Sequence, residues 1–559
     1  MTIRPMFSAT TCLPRKSEPH GRAGGFAPAC RGAAGLCFLL LLMLRLVFWA
    51  EPASAQTYSD LFEFGGTPGG CCPQFPATLA QGQDGNLYGI TSTGGMSNLG
   101  IVFQITPAGS FNIIYNFDGP HGNTPIGGLV LGVDGDLYGT AEQGGAHGYG
   151  NIFKITTSGT LTVLYDFTGS ADGGFPVAPL VLATDGNFYG TSYPGAAFKI
   201  SAKGVFKVIK TIPTVSYGPL LQARDGYFYG VTQFGGTFSA GTVYKVAGAK
   251  VTTLYNFDGT HGSYPIGGLV QGSDGYLYGT TTAGGSTNAG VIYKITTTGS
   301  LTVLVNFDNV HTLAGYQSYA GLVAGSDGNL YGATIWGGTF GYGTIFQITD
   351  EGDYTVLYNF DAPHGDGAYS TPFQHTSGKI FGMTERGGTP GKGGIYSLDD
   401  GIAPFASLVV TLGPVGKTVG ILGQGFSGAT SVKFNGTAAS FKVVSDTYLT
   451  TKVPSGETGI VTLTTPSGTL LAKQIFKVTP HITSVTPPSG KVGDAVTLAG
   501  TGLIQAATIT VGGVKVDVFT VSSDKQVTFI VPTGAKTGKV VLTTPGGEAT
   551  SSAVFTVTP

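Results

Sequence analysis

The chain has 559 residues, of which 93 are glycine and 11% are charged, and its formal net charge is −2. A chain of this length exceeds what one hydrophobic core organises, so we predict several domains. The plentiful aromatic residues argue against a disordered chain, and no long segment shows the 3.6-residue apolar period of helices. The composition therefore predicts an all-β protein built from short strands and tight turns.

The first 55 residues have the layout of a secretory signal peptide. Five basic residues precede the apolar run at 36–44, and Ala-Ser-Ala at 53–55 is a small-residue cleavage site. An uncleaved membrane anchor is the alternative, but Arg45 interrupts a segment already shorter than the roughly 20 residues of a spanning helix. We therefore predict cleavage, no membrane span in the mature chain, and export to the periplasm, the cell surface or the medium.

After this segment the chain carries no basic cluster. Residues 1–55 contain six Lys or Arg and two Asp or Glu, so 23 basic and 29 acidic residues remain and the formal charge becomes −6. We therefore expect neither a nucleic-acid partner nor binding to anionic membranes. Cys71 and Cys72 are the only cysteines beyond residue 55, which is too few for a disulfide scaffold.

A six-residue segment recurs through residues 57–400. It reads DGNLYG from Asp84, and copies follow at intervals of 40 to 53 residues, starting at Asp134, Asp185, Asp225, Asp274, Asp327 and, in degenerate form, Ser377. The Asp-Gly pair suits a tight turn, and the alternating aromatic residue is typical of the strand that leaves it. Each unit has four strand-like segments, so the repeat predicts a seven-bladed β-propeller. A β-solenoid is the alternative, although its rungs are usually shorter.

The phase of the repeat predicts how the propeller closes. A strand of the outermost type lies at 61–64, ahead of the first Asp-Gly copy, whereas the last unit ends at 395–398 without such a strand. Pairing these two segments would leave no open sheet edge.

The array resembles the GloVer tandem repeat family, found in secreted bacterial proteins with varied C-terminal anchors. The resemblance rests on the recurring NFDG, GGL, DGxLYG and GGxxxxGxIFKI segments within residues 57–400. It implies export and a surface or secreted location, and it implies no catalytic residues.

Residues 404–479 and 481–559 form two related modules. VGKTVGILGQGF in the first corresponds to VGDAVTLAGTGL in the second, and LTTPSG corresponds to LTTPGG. Short alternating strands of this length predict small β-sandwiches. Both modules resemble IPT/TIG domains, which are immunoglobulin-like, and the second is the clearer match. The resemblance implies a spacer or contact role.

Three motifs are better explained by structure than by chemistry. The Gly-Lys-Thr sequence at 416–418 lacks the earlier glycine of a phosphate-binding loop, because Thr411 occupies that position. Each Asp-Gly turn offers one carboxylate, whereas calcium needs several converging oxygen ligands. His121, His261 and His364 lie in equivalent turns of different units and would form one site only if they pointed to the axis. We expect neither a metal nor a cofactor.

Loop lengths predict the ligand-binding face. The segment from Tyr189 to Phe198 spans 9 residues instead of the usual 15, and that from Ile212 to Asp225 spans 13 instead of 17 to 20. Both loops open on the same face of an up-and-down blade, so we predict a notch in its rim. A degenerate blade without consequence is the alternative. The predicted ligand-binding residues of this face are His121, Glu142, His147, Tyr149, Phe234, His261, Trp336, Tyr342, His364, Glu385 and Arg386.

Two functions fit these features. The first is a secreted or cell-surface binding or adhesion protein, monomeric, with a carbohydrate or protein ligand on the propeller and the two modules as spacers. The second is a secreted lyase or hydrolase acting on polysaccharide. Beyond residue 55 the sequence contains no G-x-S-x-G, H-E-x-x-H or C-x-x-C motif. We therefore favour the binding protein over the enzyme.

The adjacent cysteines predict a vicinal disulfide between Cys71 and Cys72, since the chain is exported and offers no other partner. Free thiols are the alternative. Alkylation of the mature protein under denaturing, non-reducing conditions should add no label, as measured by mass. Two adducts would rule the bond out.

Overall fold

The computed structural model describes residues 56–66, 69–71, 73, 78–212, 214, 216–309 and 314–559. In these ranges the chain forms 46 β-strands in eleven sheets and no α-helix, which confirms the predicted all-β class. The predicted signal segment and Cys72 lie outside the described residues. Cys71 is disulfide-bonded, and the vicinal pairing stays a prediction.

The repeat region forms seven four-stranded antiparallel sheets, here called blades 1 to 7. Strand β1 (Thr57–Glu63) precedes them. Blade 1 contains β2 (Ala80–Gln81), β3 (Leu87–Thr91), β4 (Ile101–Ile105) and β5 (Phe111–Asn116). Blade 2 contains β6 (Leu129–Leu131), β7 (Leu137–Ala141), β8 (Asn151–Ile155) and β9 (Leu161–Asp166). Blade 3 contains β10 (Val181–Leu182), β11 (Phe188–Ser192), β12 (Ala196–Ile200) and β13 (Phe206–Thr211).

The remaining blades follow the same order. Blade 4 contains β14 (Leu221–Gln222), β15 (Phe228–Thr232), β16 (Thr242–Ala247) and β17 (Lys250–Asn256). Blade 5 contains β18 (Val270–Gln271), β19 (Leu277–Thr280), β20 (Val291–Ile295) and β21 (Leu301–Asn306). Blade 6 contains β22 (Val323–Ala324), β23 (Leu330–Thr334), β24 (Thr344–Ile348) and β25 (Tyr354–Asn359). Blade 7 contains β26 (Phe373–Gln374), β27 (Ile380–Thr384) and β28 (Gly394–Asp399), and β1 is its fourth strand.

The Asp-Gly turns are held by a repeated pair of hydrogen bonds. In blade 6, Asp327 accepts the backbone N–H of Asn329 (3.3 Å) and the hydroxyl of Tyr331 (2.7 Å). The same tyrosine hydroxyl bonds the turn aspartate in blades 1 to 5, at 2.6–2.9 Å. Hydrogen bonds to a charged group contribute about 1.5–3 kcal/mol each. Blade 7 has Ser377 and Phe381 at these two positions, so both the carboxylate and the tyrosine hydroxyl of this hydrogen bond are absent there.

The blades form a closed ring of propeller type. Hydrophobic clusters lie between successive blades, and one of them joins blade 7 to blades 1 and 2. Strand β1 pairs antiparallel with β28, with Ser59 opposite Ser397, which confirms the predicted closure. Its rings also stack on both neighbours: Tyr58 on Tyr358 of blade 6, and Phe62 on Phe111 of blade 1, each at 3.7 Å between centroids.

The last 18 strands form two modules with the same strand order. The first module pairs the sheet β29-β31-β35-β34 with the sheet β30-β37-β36-β32-β33, and the second pairs β38-β40-β44-β43 with β39-β46-β45-β41-β42. The strands are β29 (Ser407–Leu408), β30 (Leu412–Pro414), β31 (Thr418–Leu422), β32 (Ser431–Phe434), β33 (Thr437–Ala438), β34 (Phe441–Ser445), β35 (Tyr448–Lys452), β36 (Gly459–Thr465), β37 (Gly468–Thr479), β38 (His481–Thr486), β39 (Ser489–Gly490), β40 (Ala495–Thr501), β41 (Thr508–Val511), β42 (Val514–Lys515), β43 (Phe519–Ser523), β44 (Gln526–Ile530), β45 (Gly538–Thr544) and β46 (Gly547–Val557).

The first module packs on the face of the ring that carries the Asp-Gly turns, here called the turn face. Thr447 donates a hydrogen bond to the carbonyl of Gln83 in blade 1 (2.8 Å), and Gln424 donates to the hydroxyl of Thr376 in blade 7 (2.8 Å). A Cβ on Gly85 would lie 2.7 Å from a methyl carbon of Thr447, so the contact requires glycine there. The degenerate Asp-Gly copy of blade 7 therefore lies where the ring meets the module.

Deleting residues 58–64 should leave blade 7 without its outer strand and destabilise the ring, because β28 would become an open edge and two ring stacks would be lost. A chain that starts at residue 65 should aggregate, or melt at least about 5 °C below a chain that starts at residue 56. Equal melting temperatures would contradict this role of β1.

Below pH 6.5 the stability should depend on His375, which is buried where blade 7, blade 1 and the first module meet. Its Nε2 donates to the carbonyl of Gly85 (3.0 Å), and burial lowers its pKa to about 4. The unfolded chain therefore takes up this proton first as the pH falls, and up to about 3 kcal/mol is lost between pH 6.5 and 4. His375→Gln should flatten the dependence of melting temperature on pH in that window. The exposed His481→Gln should leave the slope unchanged, and equal slopes for all three proteins would refute the assignment.

Candidate functional site

The face opposite the turn face, here called the loop face, is a continuous rim of two loop types. One loop joins the second and third strands of a blade, and the other enters the blade from the preceding outer strand. In blade 2 these loops pair through Asn123 and Gln143, whose backbones exchange hydrogen bonds of 2.8 and 3.0 Å. Thr124 also donates to the carbonyl of Leu99 in blade 1 (3.0 Å). Both loops therefore lie on one face, as the loop lengths predict.

An asparagine at the end of each ordinary outer strand holds the longer loop. Asn116 accepts the backbone N–H of Met96 at 3.0 Å, and Asn256, Asn306 and Asn359 do the same in blades 4, 5 and 6. In blade 7 Glu63 of β1 takes this position and accepts the N–H of Thr389 (3.1 Å). The asparagine of the NFDG motif is thus part of the scaffold.

Blade 3 departs from this arrangement. Its loop between β11 and β12 is reduced to Tyr193-Pro194-Gly195, and its outer strand ends in Thr211, where the other blades have Asn, Asp or, in blade 7, Glu. The loop and the side chain that would hold it are therefore absent together. The loop of blade 3 is thus as short as the spacing indicates, and the notch in the loop face stays a prediction.

Aromatic side chains lie at the short loop of blade 3. Tyr149 and Tyr193 are 39% and 49% exposed. Phe175 lies between them, with its ring 5.5 Å from that of Tyr149 and 6.4 Å from that of Tyr193, both edge-on. Gly169 permits the ring of Tyr149 to lie on the backbone, because a Cβ there would be 2.6 Å from it. Exposed aromatic rings of this kind offer large apolar contacts that also carry polar groups.

A carboxyl group adjoins the aromatic row. Burial raises the pKa of Glu142, and burial, followed by the charge of Glu142, raises the pKa of Tyr217. Glu142 belongs to blade 2 and Tyr217 precedes the inner strand of blade 4, so the two interact across blade 3.

A second polar cluster lies on the loop face of blades 6 and 7. The guanidinium of Arg386 is 5.3 Å from the ring centroid of Trp336, 3.9 Å from Asp366 and 3.8 Å from Glu385. Burial raises the pKa of both carboxyl groups, and the charge of Arg386 opposes that shift. Glu142 and Glu385 are both half-buried and belong to different blades, 2 and 7.

The three histidines each bond their own turn. His121, His261 and His364 contact the aspartate three residues earlier through Nδ1, at 2.7, 2.8 and 2.7 Å, and their backbone N–H groups bond the same aspartates. All three are exposed. The structure therefore gives them a repeated turn-capping arrangement in separate blades.

The remaining predicted residues, His147, Phe234 and Tyr342, lie in separate places. His147 is exposed in the loop that carries Glu142 and Tyr149. The ring of Phe234 is 5.6 Å from that of Tyr264, apart from both clusters. Tyr342 is half-buried against the core between blades 6 and 7. The contacts thus bring together Trp336, Glu385 and Arg386 in one cluster. Glu142 and Tyr149 share the loop between β7 and β8 of blade 2.

Sequence reasoning missed Phe175, Tyr193, Tyr217, Asp366 and Tyr369. A column-by-column alignment of the seven units offers a signal for some of them. Tyr193 occupies the position of Glu142 and Glu385, and Tyr217 and Tyr369 occupy the position of Ile126.

Across the described ranges, no group of three or more His, Cys, Asp or Glu side chains is placed to hold a metal ion. The described part of the chain also has no helix of the length and apolarity that crossing a membrane requires.

Comparison with known families gives two matches. The family model of the Gloeobacter/Verrucomicrobia repeat matches residues 46–222 and 215–440, and that of the IPT/TIG domain matches residues 480–558. No curated protein matches the chain.

Similar solved structures include two surface glycan-binding proteins and one enzyme. PbSGBP-B from Prevotella bryantii is 19% identical, with 28% of this chain and 39% of that chain covered and a TM-score of 0.21. SGBP-B from a complex xyloglucan utilization locus in Bacteroides uniformis is 22% identical, with 27% of this chain and 48% of that chain covered and a TM-score of 0.15. A luciferin-regenerating enzyme is 12% identical, with 60% of this chain and 94% of that chain covered and a TM-score of 0.35. The chain spans less than half the length of either glycan-binding protein. At these TM-scores the similarities carry no argument about function.

Proposed function

The chain belongs to the Gloeobacter/Verrucomicrobia repeat family, and we propose that it is an exported binding protein that holds a carbohydrate at the notch of the loop face. One observation carries this proposal: the exposed rings of Tyr149 and Tyr193 and the half-buried ring of Phe175 between them form an aromatic row at the short loop of blade 3. The charges of Glu142 and Tyr193 both contribute to the raised pKa of Tyr217, after burial, so a carboxyl group lies in the same region. Sugar rings present apolar C–H faces together with hydroxyl groups, so they match aromatic rings adjoined by a hydrogen-bond acceptor.

The arrangement of the first module supports the same face. Its contacts with Gln83, Thr376 and Gln374 lie on the turn face of blades 1 and 7. On the same face it also packs against Leu182 of blade 3 and donates from Lys477 to the carbonyl of Arg224 in blade 4. The loop face has no such cover among the described residues. The two C-terminal modules then act as spacers that hold the loop face away from the attachment point. The Arg386 cluster extends the binding surface along the rim, where its charged groups would contact hydroxyl groups of a longer chain.

The protein from residue 56 onward should bind oligosaccharides on an array of plant and microbial glycans. An oligosaccharide that binds on the array is then used to measure the affinity by calorimetric titration. Tyr193→Ala should weaken binding at least tenfold, which corresponds to about 1.4 kcal/mol, because it removes a ring from the notch. Trp336→Ala and Glu385→Ala should weaken binding of the longer sugars without unfolding the protein.

Two variants of the turn face serve as controls. Tyr227→Ala removes a ring that is 44% exposed, and Asn329→Ala removes a half-buried side chain whose amide donates to Asp327. Neither should change the affinity for the sugar. Equal losses from both faces, binding by the C-terminal modules alone, or a protein ligand without any sugar would each refute the proposal.

A further inference from the structure

The turn between the third and fourth strands of a blade normally packs on the preceding blade. The glycine of this turn lies against the outer strand of the preceding blade, so that an added Cβ would be 2.2–3.6 Å from a backbone oxygen of that strand. This holds for Gly109, Gly159, Gly204, Gly299 and Gly352. In blade 4 the corresponding Gly248 has no atom within 4 Å of such a Cβ. This turn therefore stands clear of blade 3.

A one-residue deletion accounts for the difference. Four residues separate Val246 from Val251 in blade 4, whereas five separate Ile295 from Leu301 in blade 5. The shorter turn does not reach the outer strand of blade 3, where Ile209 lies. A cleft of about 320 Å³ opens there. That volume is within the range of small-molecule binding sites.

The walls of the cleft combine apolar and basic side chains. Ile209, Phe228 and Val246 form the apolar part. Lys199 and Lys207 line the same cleft and lie directly opposite each other on β12 and β13. Like charges at directly opposed positions of an antiparallel pair destabilise the sheet.

No other outer hairpin of the propeller has this like-charge pair. In five blades the matching positions pair a Lys or Gln with a Thr or Asn, and in blade 7 they pair two serines. The pairs are Gln104–Asn112, Lys154–Thr162, Lys245–Thr252, Lys294–Thr302, Gln347–Thr355 and Ser59–Ser397. Blade 3 therefore carries a charge pair that the fold itself does not require.

The two ammonium groups are also unengaged, unlike their equivalents. Lys154 is 2.9 Å from Asp136, and Lys245 is 3.2 Å from Asp225. Within the described residues Lys199 and Lys207 make no hydrogen bond and no ion pair within 4 Å. Burial opposes the lowering of the pKa of Asp185, which hydrogen bonds and then the charge of Lys199 bring about, so the Lys199 charge acts on this carboxyl without a close ion pair.

We propose that this cleft is a second binding site and that its ligand is a small aromatic carboxylate. The ring would lie between Ile209, Phe228 and Val246, and the carboxylate between the ammonium groups of Lys199 and Lys207. Burial of the ring contributes about 25 cal/mol per Å² of apolar surface, and the anion removes the repulsion between the lysines. The site is on the turn side of blades 3 and 4, so it does not depend on the proposed carbohydrate site.

The test uses 2-naphthoate as the probe and the chain from residue 56 onward. Calorimetric titration should give saturable binding at one site, whereas the neutral 2-naphthalenemethanol and the non-aromatic acetate should bind at least tenfold more weakly. Lys207→Gln should weaken 2-naphthoate binding at least tenfold. Lys203→Gln is the matched control, since Lys203 is an exposed lysine of the same blade outside the cleft, and it should leave binding unchanged.

A second variant rebuilds the missing contact. Replacing residues 247–250 (AGAK) with the five residues of 296–300 (TTTGS) should let the turn pack on blade 3, close the cleft and abolish 2-naphthoate binding. Its melting temperature should stay within a few degrees of that of the parent protein. Ala249→Phe, which fills the cleft with a side chain, should give the same loss of binding. Absence of 2-naphthoate binding, equal binding of the neutral alcohol, or equal losses in Lys203→Gln and Lys207→Gln would each overturn the proposal.

Discussion

Ring closure is the constraint on which the rest of this structure depends. Each blade is apolar on both of its broad faces and buries them only between two neighbours, so the first and last blades must meet. The pairing of β1 with β28 achieves this by joining segments more than 300 residues apart in the chain. Once the ring is closed, the inner strands converge on the axis and all loops of one type are gathered on one face. The location of any binding surface follows from that geometry.

The repeated residues serve the scaffold. Asp327 and Tyr331 fix a turn, Asn116 holds a loop, and Asp118 with His121 caps another turn. Residues that recur in nearly every unit are therefore weak candidates for a ligand site, although they include histidines and carboxylates. The departures from the repeat are more informative, because the loss of a stabilising contact in one unit suggests that a different function is selected at that position.

Three departures illustrate this. Blade 3 lacks the long loop and the asparagine that holds it, and the predicted notch with Tyr193 lies there. Blade 4 has a turn one residue short, and the cleft beside Lys207 lies there. Blade 7 has Ser377 and Phe381 in place of the Asp–Tyr pair, and the first C-terminal module packs nearby through Thr376. In each case a change in the repeat marks a place where the propeller stops contacting itself, and in blade 7 the first C-terminal module packs there.

The sequence by itself determined the all-β class, the repeating four-stranded unit, the strand that closes the ring and the face on which long loops gather. These properties are local or periodic: glycine allows a tight turn, alternation places aromatic residues on one side of a strand, and the phase of the repeat is a matter of counting. Three other features could be read only from the folded chain: the effect of the Glu142 charge on Tyr217 across blade 3, the contact of Arg386 with Trp336, and the packing of the first module on Gly85. Each joins side chains from different blades or modules at distances that depend on how the sheets twist and pack, and no spacing in the chain encodes those distances.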